Sequence, residues 1–407
     1  MEPPDPAALR DRLATTPGGA TVLEALAGTR AVWLVGGAVR DLLLGETPPD
    51  LDLVVEGDAA AAARTAAERL GGESVVHDRF GTATVRGEAV SFDLAVTRSE
   101  TYAVPGALPD VAPADLRADL TRRDFTVNAI ALGLSPDVAG RLEAIPQAWE
   151  DLAARRLRVL HAASFTDDPT RLLRLVRYAA RLGFAPETET ERLARAAVAD
   201  GAIQTVSGPR LGSELLLLTT EPAPLAALEL AATLGVAGAL EPRLAPDRDL
   251  ADRALALLPG DGRRGLVVLA TACTRMDRVT LSGWLDRLGF PASTREVVVA
   301  AATEGPALAA ALAAATRPSE IAVAVGRRPP EAVAVGGALG PEPAARTWLD
   351  ELRHIRLEIG GEDLMGAGVP EGPDVGRGLA AALAARLDGA AASREAELQA
   401  ALAAVRD

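Results

Sequence analysis

The sequence predicts an α+β protein in which an N-terminal sheet domain precedes a long helical region. Short apolar runs typical of strands occur in the first 135 residues, mixed with helical patterns. After about residue 145, Leu, Ala and Arg recur with helical spacing, and Gly and Pro breaks divide this region into successive helices. With 407 residues, the chain is long enough for two to four domains with large buried cores.

The sheet domain is predicted to contain five strands. A helical pattern over residues 1–28 precedes the first strand at 31–35, which ends at Gly36 and Gly37. Helical periodicity returns at 39–44 and 59–70, and glycine follows each of these segments. The other strands are predicted at residues 51–55, 74–77, 81–86 and 89–96.

The composition excludes several classes of protein. A single cysteine, Cys273, excludes intramolecular disulfides, and we expect no disulfide-linked partner. Three widely separated histidines cannot form a His-rich metal site. No apolar run approaches the roughly 18 residues that span a bilayer, and the N-terminus is acidic and proline-rich, unlike a signal peptide. We therefore expect a cytoplasmic protein without a membrane partner.

The charge of the chain has to be considered region by region. All 42 basic residues are arginine, and with 56 acids the net charge is −14. This charge argues against nucleic-acid binding over the whole surface, but it leaves a local basic surface possible. Residues 150–185 are such a segment, because they carry seven arginines and four acids.

The first motif with chemical meaning is the glycine pair Gly36-Gly37, between a predicted strand and a helix. Glycine lets backbone N–H groups approach a phosphate closely, and a helix N-terminus favours an anion. A glycine pair alone is more often an ordinary turn.

Three acids on predicted strands strengthen this interpretation. Asp50 and Asp52 are two residues apart, so both side chains face the same side of a strand and can share a metal ion. Mg²⁺ binds one or two carboxylates together with substrate phosphates. Asp93, on another apolar strand, could complete the metal cage. The alternative is a set of exposed acids at strand ends and on an alternating strand.

A second cluster, Arg122-Arg123-Asp124 with Asn128, suits a nucleotide. Arginine binds phosphate, and the carboxylate and amide can bind ribose hydroxyls. A structural cluster of salt bridges would have the same composition.

The third motif is a predicted helix that begins near Pro169, after Asp167 and Asp168. Its arginines share one face at helical spacing, with apolar residues opposite: Arg171, Arg174, Arg177 and Arg181. A carboxylate at Asp168 and a guanidinium at Arg171 would match the amino group and ring nitrogen of cytosine or adenine, and would repel uracil and guanine. The alternatives are a solvated arginine face and a helix-capping Asp168.

These segments together resemble class II tRNA nucleotidyltransferases, the CCA-adding and A-adding branch of the bacterial poly(A) polymerase superfamily. The matching motifs are GGAVRDLLLG with DLD at 36–52, RRDFTVNAIAL at 122–132 and DDPTRLLRLVRYAARLGF at 167–184. Weaker similarity continues at 234–242 and 360–376.

The resemblance implies a role for each candidate residue. Asp50 and Asp52 hold the catalytic Mg²⁺ ions; Asp93 is expected to be a third catalytic acid from its strand pattern alone. Arg123 and Asp124 meet the ribose, Asp168 with Arg171 selects the base, and Asp167 stands where the family usually has Glu. The nucleotide-binding set is expected to be Gly36, Gly37, Arg40, Arg123, Asp124, Asn128, Asp167, Asp168, Arg171, Arg174 and Arg177.

The resemblance also implies four domains. These are a nucleotidyltransferase head with a five-stranded mixed sheet (1–142), then an all-α neck for base selection (143–215), body (216–335) and tRNA-binding tail (336–407). Residues 77–84 resemble A-adding members in particular. One departure lies before the neck, where the family's Asp-Pro-x-Gly-Gly segment is replaced at residues 145–149 by Ile-Pro-Gln-Ala-Trp.

The expected function is the transfer of CMP, AMP or both from CTP and ATP to the 3′ end of tRNA. An A-adding-only or CC-adding-only enzyme and a poly(A) polymerase on general RNA are alternatives. A catalytically silent RNA-binding scaffold and an enzyme that nucleotidylates a small molecule are more distant ones.

Overall fold

The structure, a computed structural model, describes residues 4–77, 81–88 and 90–406. The chain divides into two compact units, residues 1–207 with 233–239 and residues 208–232 with 240–407. Asp78, Arg79 and Phe80, in the stretch that resembles A-adding members, lie outside the described residues, as does Ala89 of the last predicted strand.

The strands all lie in the first unit. Their bounds are β1 (Val32–Val35), β2 (Asp52–Val55), β3 (Glu73–His77), β4 (Thr82–Arg86), β5 (Ser91–Val96), β6 (Arg98–Thr101), β7 (Asp110–Pro113), β8 (Ile130–Gly133), β9 (Leu142–Ala144), β10 (Arg156–Leu157) and β11 (Ala185–Pro186).

The main sheet has seven strands in the order β3-β4-β5-β2-β1-β8-β9. Strands β2 and β5 are parallel, and every other neighbouring pair is antiparallel. The central strands β1 and β8 are buried along their whole length. Trp33, Val54 and Ala131 belong to the core cluster on one face, together with Leu116 and Leu120.

The helices that begin in the first unit before residue 208 are α1 (Pro6–Thr15), α2 (Gly19–Ala25), α3 (Gly37–Leu44), α4 (Ala59–Leu70), α5 (Leu116–Thr121), α6 (Ala148–Ala153), α7 (Ser164–Asp167), α8 (Thr170–Leu182) and α9 (Thr188–Ala199). Helix α8 buries Leu172, Leu175 and Val176 and ends at Gly183, whose φ of 65° suits glycine. The helix predicted after Pro169 is therefore confirmed.

The fold class is confirmed, but the predicted number of five strands is wrong. Two further strands, β8 and β9, extend the sheet beyond β1. Strand β8 lies inside the RRDFTVNAIAL motif, and its pairing of Leu132 with Leu34 joins segments far apart in the sequence. Strand β9 has only three residues, too few to show an alternating pattern.

The expectation of a purely helical chain after about residue 145 is wrong at one place. Strands β10 and β11 form a two-residue parallel pair, in which Glu187 N–H donates to the Leu157 carbonyl at 2.8 Å. A pair this short leaves no periodicity in the sequence. Strands β6 and β7 form a separate antiparallel hairpin that was not predicted either.

From residue 208 to 406 the described structure is helical. The helices are α10 (Gly208–Thr220), α11 (Pro224–Thr233), α12 (Val236–Leu240), α13 (Arg248–Leu257), α14 (Arg264–Ala272), α15 (Arg278–Arg287), α16 (Ala292–Thr303), α17 (Gly305–Ala314), α18 (Pro318–Val325), α19 (Pro330–Ala338), α20 (Glu342–Asp350), α21 (Gly361–Gly366), α22 (Pro373–Leu387) and α23 (Arg394–Arg406).

No single helix in the described part of the chain is long and apolar enough to cross a membrane. The pair α16 and α17, bent by 62°, passes that test by length and composition only. The finer division into head, neck, body and tail stays a prediction.

Candidate active site

A cavity of about 440 Å³ in the first unit is lined by residues from all three motifs. The predicted site residues among its lining are Gly36, Gly37, Arg40, Asp50, Asp52, Arg123, Asp124, Asn128, Asp168, Arg171 and Arg174. The fold thus brings together groups that are up to 138 positions apart in the sequence. Asp93, Asp167 and Arg177 are not among the lining residues.

The glycine pair forms the turn from β1 into α3. Gly36 has φ 73° and ψ −136°, a backbone conformation open to glycine almost alone. A Cβ at this position would lie 2.8 Å from Nη1 of Arg123. The turn therefore needs glycine both for its backbone and for the approach of the Arg123 guanidinium.

Arg123 is a largely buried cation at this turn. Its Nη2 donates to Asp119 Oδ2 at 2.8 Å, and within the described structure its buried Nε has no hydrogen-bond partner. Asp119 is fully buried, which raises its pKa, but the charges of Arg123 and Arg122 outweigh burial and lower it. The Nη1 end of the Arg123 guanidinium lies beside Gly36, where a cation can bind an anion.

The carboxylates lie at the start of β2, where Asp52 stands opposite Asp93 in the parallel register with β5. Burial raises the pKa of Asp52, Arg123 and Arg174 lower it, and the charges of Asp50 and Asp93 raise it further; the net shift is upward. Asp93 is exposed and accepts a hydrogen bond of 2.6 Å from Thr84 Oγ1. Asp50 and Asp52 line the cavity, whereas Asp93 lies opposite Asp52 on the next strand and is not part of the lining.

The donor set fits a divalent ion that arrives with a nucleotide. Among the residues described, no group of three or more His, Cys, Asp or Glu side chains is placed to hold a metal on its own. The cavity offers the two carboxylates of Asp50 and Asp52. Mg²⁺ commonly binds one or two carboxylates and takes its other ligands from phosphates and water.

Asp124 is the centre of a buried hydrogen-bond network. Its Oδ1 accepts from Phe125 N–H at 2.8 Å and from Asn128 Nδ2 at 2.9 Å. Its Oδ2 accepts from Nε and Nη2 of Arg174 at 2.9 and 2.7 Å. Burial opposes ionisation, but Arg174 and Asn128 outweigh it and lower the pKa of Asp124 to about 2. Contact with a ribose would need one of these bonds to be exchanged, so that role stays a prediction.

Arg40 and Tyr178 extend this network. Arg40 is buried, donates to Asn128 Oδ1 at 2.6 Å, and lies 5.5 Å from the centre of the Tyr178 ring. Arg174 and Arg177 lie 5.4 and 6.0 Å from the same ring centre. Tyr178 therefore holds three guanidiniums near the cavity through cation–π contacts.

The base-reading pair lies at the N-terminus of α8. Arg171 is only 5% exposed, and it donates to Ser164 Oγ and to the Arg122 carbonyl, both at 2.7 Å. The interpretation of this helix face as solvated arginines is therefore wrong for Arg171. Asp168 lies before Pro169, which is the N-cap residue of α8, and its Oδ1 accepts from the N–H and Oγ1 of Thr170 at 3.1 and 2.6 Å. These bonds are compatible with base reading, because a carboxylate has several acceptor positions.

Several lining residues were not predicted from the sequence, among them Glu100, Tyr102 and Tyr178. Tyr178 and Arg181 lie in the third motif, and their helical spacing with Arg174 could have indicated them. Glu100 and Tyr102 lie on and beside the β6–β7 hairpin, which no pattern in the sequence indicates. Asp167 lies instead in a neighbouring cavity of about 240 Å³, with Oδ2 3.9 Å from His161 Nδ1.

Several known proteins are similar to this chain in sequence. Residues 32–158 match the family described as the poly A polymerase head domain. The A-adding tRNA nucleotidyltransferase of Geobacter sulfurreducens is 34% identical over 394 residues, which is 90% of this chain and 44% of that protein. The CC-adding tRNA nucleotidyltransferase of Deinococcus radiodurans is 35% identical over 365 residues, which is 89% of this chain and 87% of that protein.

Solved structures of similar fold cover nearly the whole chain. A CCA-adding enzyme in an apo form has a TM-score of 0.80 at 30% identity, over 98% of this chain and 99% of that one. The Thermotoga maritima CCA-adding enzyme complexed with tRNA has a TM-score of 0.75 at 28% identity, over 98% of both chains. The chain spans less than half the length of the A-adding relatives of Geobacter sulfurreducens, Halalkalibacterium halodurans and Aquifex aeolicus.

Proposed function

Because this chain belongs to the tRNA nucleotidyltransferase family, we propose that it transfers CMP, AMP or both from CTP and ATP to the 3′-hydroxyl of tRNA. One observation carries the proposal. A single cavity joins the Gly36 turn, the Asp50 and Asp52 carboxylates and the Asp168–Arg171 pair. In this proposal the three parts bind the nucleoside triphosphate, support transfer of its nucleotidyl group and read its base.

In the proposed reaction, the 3′-hydroxyl of the RNA loses its proton to water, and its oxygen forms a bond to the α-phosphorus. The bond from that phosphorus to the bridging oxygen breaks, and pyrophosphate leaves. Mg²⁺ bound by Asp50 and Asp52 would supply charge stabilisation for the attacking and leaving oxygens. The N-terminus of α3, which follows the Gly36 turn, and the guanidinium of Arg123 bind and orient the phosphates.

Base selection is proposed for Asp168 and Arg171. The Arg122 carbonyl and Ser164 fix two of the N–H groups of Arg171, which leaves other N–H groups of the fork for a ring nitrogen. The carboxylate of Asp168 would accept from an exocyclic amino group. This combination favours cytosine and adenine over uracil and guanine.

Substitution of each member of the pair tests base selection. Asp168→Ala and Arg171→Ala are each expected to lose about 1 to 3 kcal/mol of discrimination against UTP and GTP. The measurement is kcat/KM for each of the four nucleoside triphosphates, with Arg192→Ala, an exposed arginine ion-paired on α9, as the control. If the ratios of kcat/KM among the four triphosphates are unchanged in both variants, this helix does not select the base.

The relatives leave open which nucleotides are added, because both A-adding and CC-adding proteins are similar to this chain. The decisive experiment offers tRNAs that end at the discriminator base, at C and at CC, each with one labelled triphosphate. Incorporation of CMP on the first two and of AMP on the third supports a CCA-adding enzyme. Incorporation at only one stage supports an A-adding or CC-adding enzyme, and long poly(A) on unrelated RNA supports a poly(A) polymerase.

The remaining parts of the proposal are the tRNA-binding tail at 336–407, the neck, body and Mg²⁺ assignments, and a cytoplasmic location. The solved complex of the Thermotoga maritima enzyme with tRNA supports the tRNA assignment.

A further inference from the structure

We propose that Tyr102 binds the incoming nucleotide in this cavity, and that its ring stacks on the base beside Asp168 and Arg171. The inference rests on the proposed function, because it assumes that the cavity binds CTP or ATP. It adds a contact to the face of the base, where Asp168 and Arg171 read only its edge.

The chain is poor in aromatic residues, and its two tyrosines line the same cavity. Among the described lining residues, Tyr102 and Tyr178 are the aromatic ones. Tyr178 is already surrounded, because three guanidiniums lie within 6.0 Å of its ring centre and Phe125 meets it edge-on at 5.9 Å. Tyr102 is half-buried and lines the cavity, so part of its surface is open to a ligand there.

The hydroxyl group of Tyr102 does not read the base in this proposal, because it donates to Glu100 Oε2 at 3.2 Å. The other oxygen of Glu100 accepts from Arg122 at 2.8 Å, and the Arg122 carbonyl accepts from Arg171 at 2.7 Å. Tyr102 and Arg171 are thus oriented by one network. Burial and Glu100 raise the pKa of Tyr102 to about 12, so the phenol stays protonated and donates to Glu100.

The backbone fixes the position of the hairpin that carries Tyr102. Gly106, between β6 and β7, donates its N–H to the carbonyl of Asp167 at 3.2 Å. A Cβ on Gly106 would lie 2.1 Å from Thr205 Oγ1, so only glycine lets the loop approach Thr205 this closely. The loop is therefore tied to the residue directly before Asp168, and Tyr102 lies beside the base-reading pair.

Stacking on an aromatic ring contacts the face of the base, which hydrogen bonds to its edge do not. Hydrogen bonds from Asp168 and Arg171 define the edge of the base, whereas an aromatic ring fixes its plane and shields its face from water. Every base has a π face, so such a contact favours cytosine and adenine alike and adds affinity to both. The site needs this property if it accepts two different bases.

The test is calorimetric titration of CTP, ATP and inorganic tripolyphosphate into the full chain without RNA. Tyr102→Leu is expected to weaken binding of CTP and ATP about tenfold, within the range that stacking of one base provides, and to leave tripolyphosphate within about twofold. Tyr102→Phe is expected to stay within about threefold of wild type for all three ligands, because the ring is retained. The matched control is Leu108→Ala on the same hairpin, where Leu108 is 64% exposed and outside the cavity lining.

Three results would overturn the inference. They are unchanged CTP and ATP affinity in Tyr102→Leu, an equal loss for tripolyphosphate, and an equal loss in Leu108→Ala. Each is distinct from failure of the proposed function, in which the wild-type protein itself binds neither CTP nor ATP.

Discussion

At the scale of single residues, Asp124 connects the second and third motifs. Its carboxylate orients Asn128 through one oxygen and Arg174 through the other. The arginine-rich motif at 122–128 and the arginine face of α8 are therefore parts of one buried network. A residue of this kind affects both stability and the site, because it fixes side chains that line the cavity.

Asp124→Asn should destabilise the protein in a pH-dependent way. The folded pKa of about 2 lies below the ordinary value of 3.8, so the ionised carboxylate stabilises the fold above about pH 4, and this contribution is lost as the pH falls towards 2. The difference between the two pKa values corresponds to roughly 2 kcal/mol. Urea unfolding at pH 7 should show a loss of at least about this size, because Arg174 loses its partner.

The loss of unfolding free energy in Asp124→Asn should be smaller at pH 3 than at pH 7. Asp93→Asn, a substitution of an exposed acid, serves as the control. An equal loss at both pH values would contradict an ionic role for Asp124.

At the scale of structural elements, the turn between β1 and α3 is the most demanding local conformation in the site. Strand β1 is buried and paired on both sides, so the turn cannot shift without moving the centre of the sheet. Gly36 N–H donates to the Ile130 carbonyl of β8 at 3.1 Å, which ties the turn to the next strand. The turn is rigid for this reason, and a rigid turn can present its backbone to a phosphate.

Gly36→Ala should lower stability by about 1 to 3 kcal/mol and weaken CTP and ATP binding. The new Cβ both strains the backbone and displaces the Arg123 guanidinium. Gly140→Ala is the matched control, since Gly140 also has a positive φ of 80°, but a Cβ there would have no described atom within 4 Å. The control should lose stability and keep nucleotide affinity. Unchanged nucleotide affinity in Gly36→Ala would show that the turn does not position Arg123 for phosphate.

At the scale of the whole molecule, the sequence predicts the class of the fold and most of the cavity, because both rest on local patterns. The five predicted strands correspond to β1, β2, β3, β4 and β5, and each starts within two residues of the observed strand. Strand β8 was missed because a run of four buried residues is too short for periodicity to distinguish a strand from another buried segment. Tyr102 was missed because it enters the site through a loop contact at Gly106, which no periodicity encodes.

Charge is also a property of the whole molecule. With a net charge of −14, the chain as a whole repels RNA, so binding has to depend on local arginine surfaces that release counterions from phosphates. The affinity for tRNA is expected to fall steeply between about 50 and 200 mM salt, with a slope that reports the number of phosphate contacts. Filter binding over this range, with a neutral osmolyte as the control, measures it. Affinity independent of salt would contradict binding through phosphates.

Nucleotidyl transfer at this cavity is best tested by the rate at which Asp50→Asn and Asp52→Asn incorporate labelled nucleotide into tRNA in a single turnover. Asparagine keeps the size of each side chain and removes the charge that the proposed metal needs. We expect each variant to lose at least about a hundredfold in rate at unchanged thermal stability. Glu143→Gln, an acid on the edge strand β9 outside the cavity lining, should react like the wild type. Rates within about tenfold of wild type for both aspartate variants would contradict nucleotidyl transfer at this cavity.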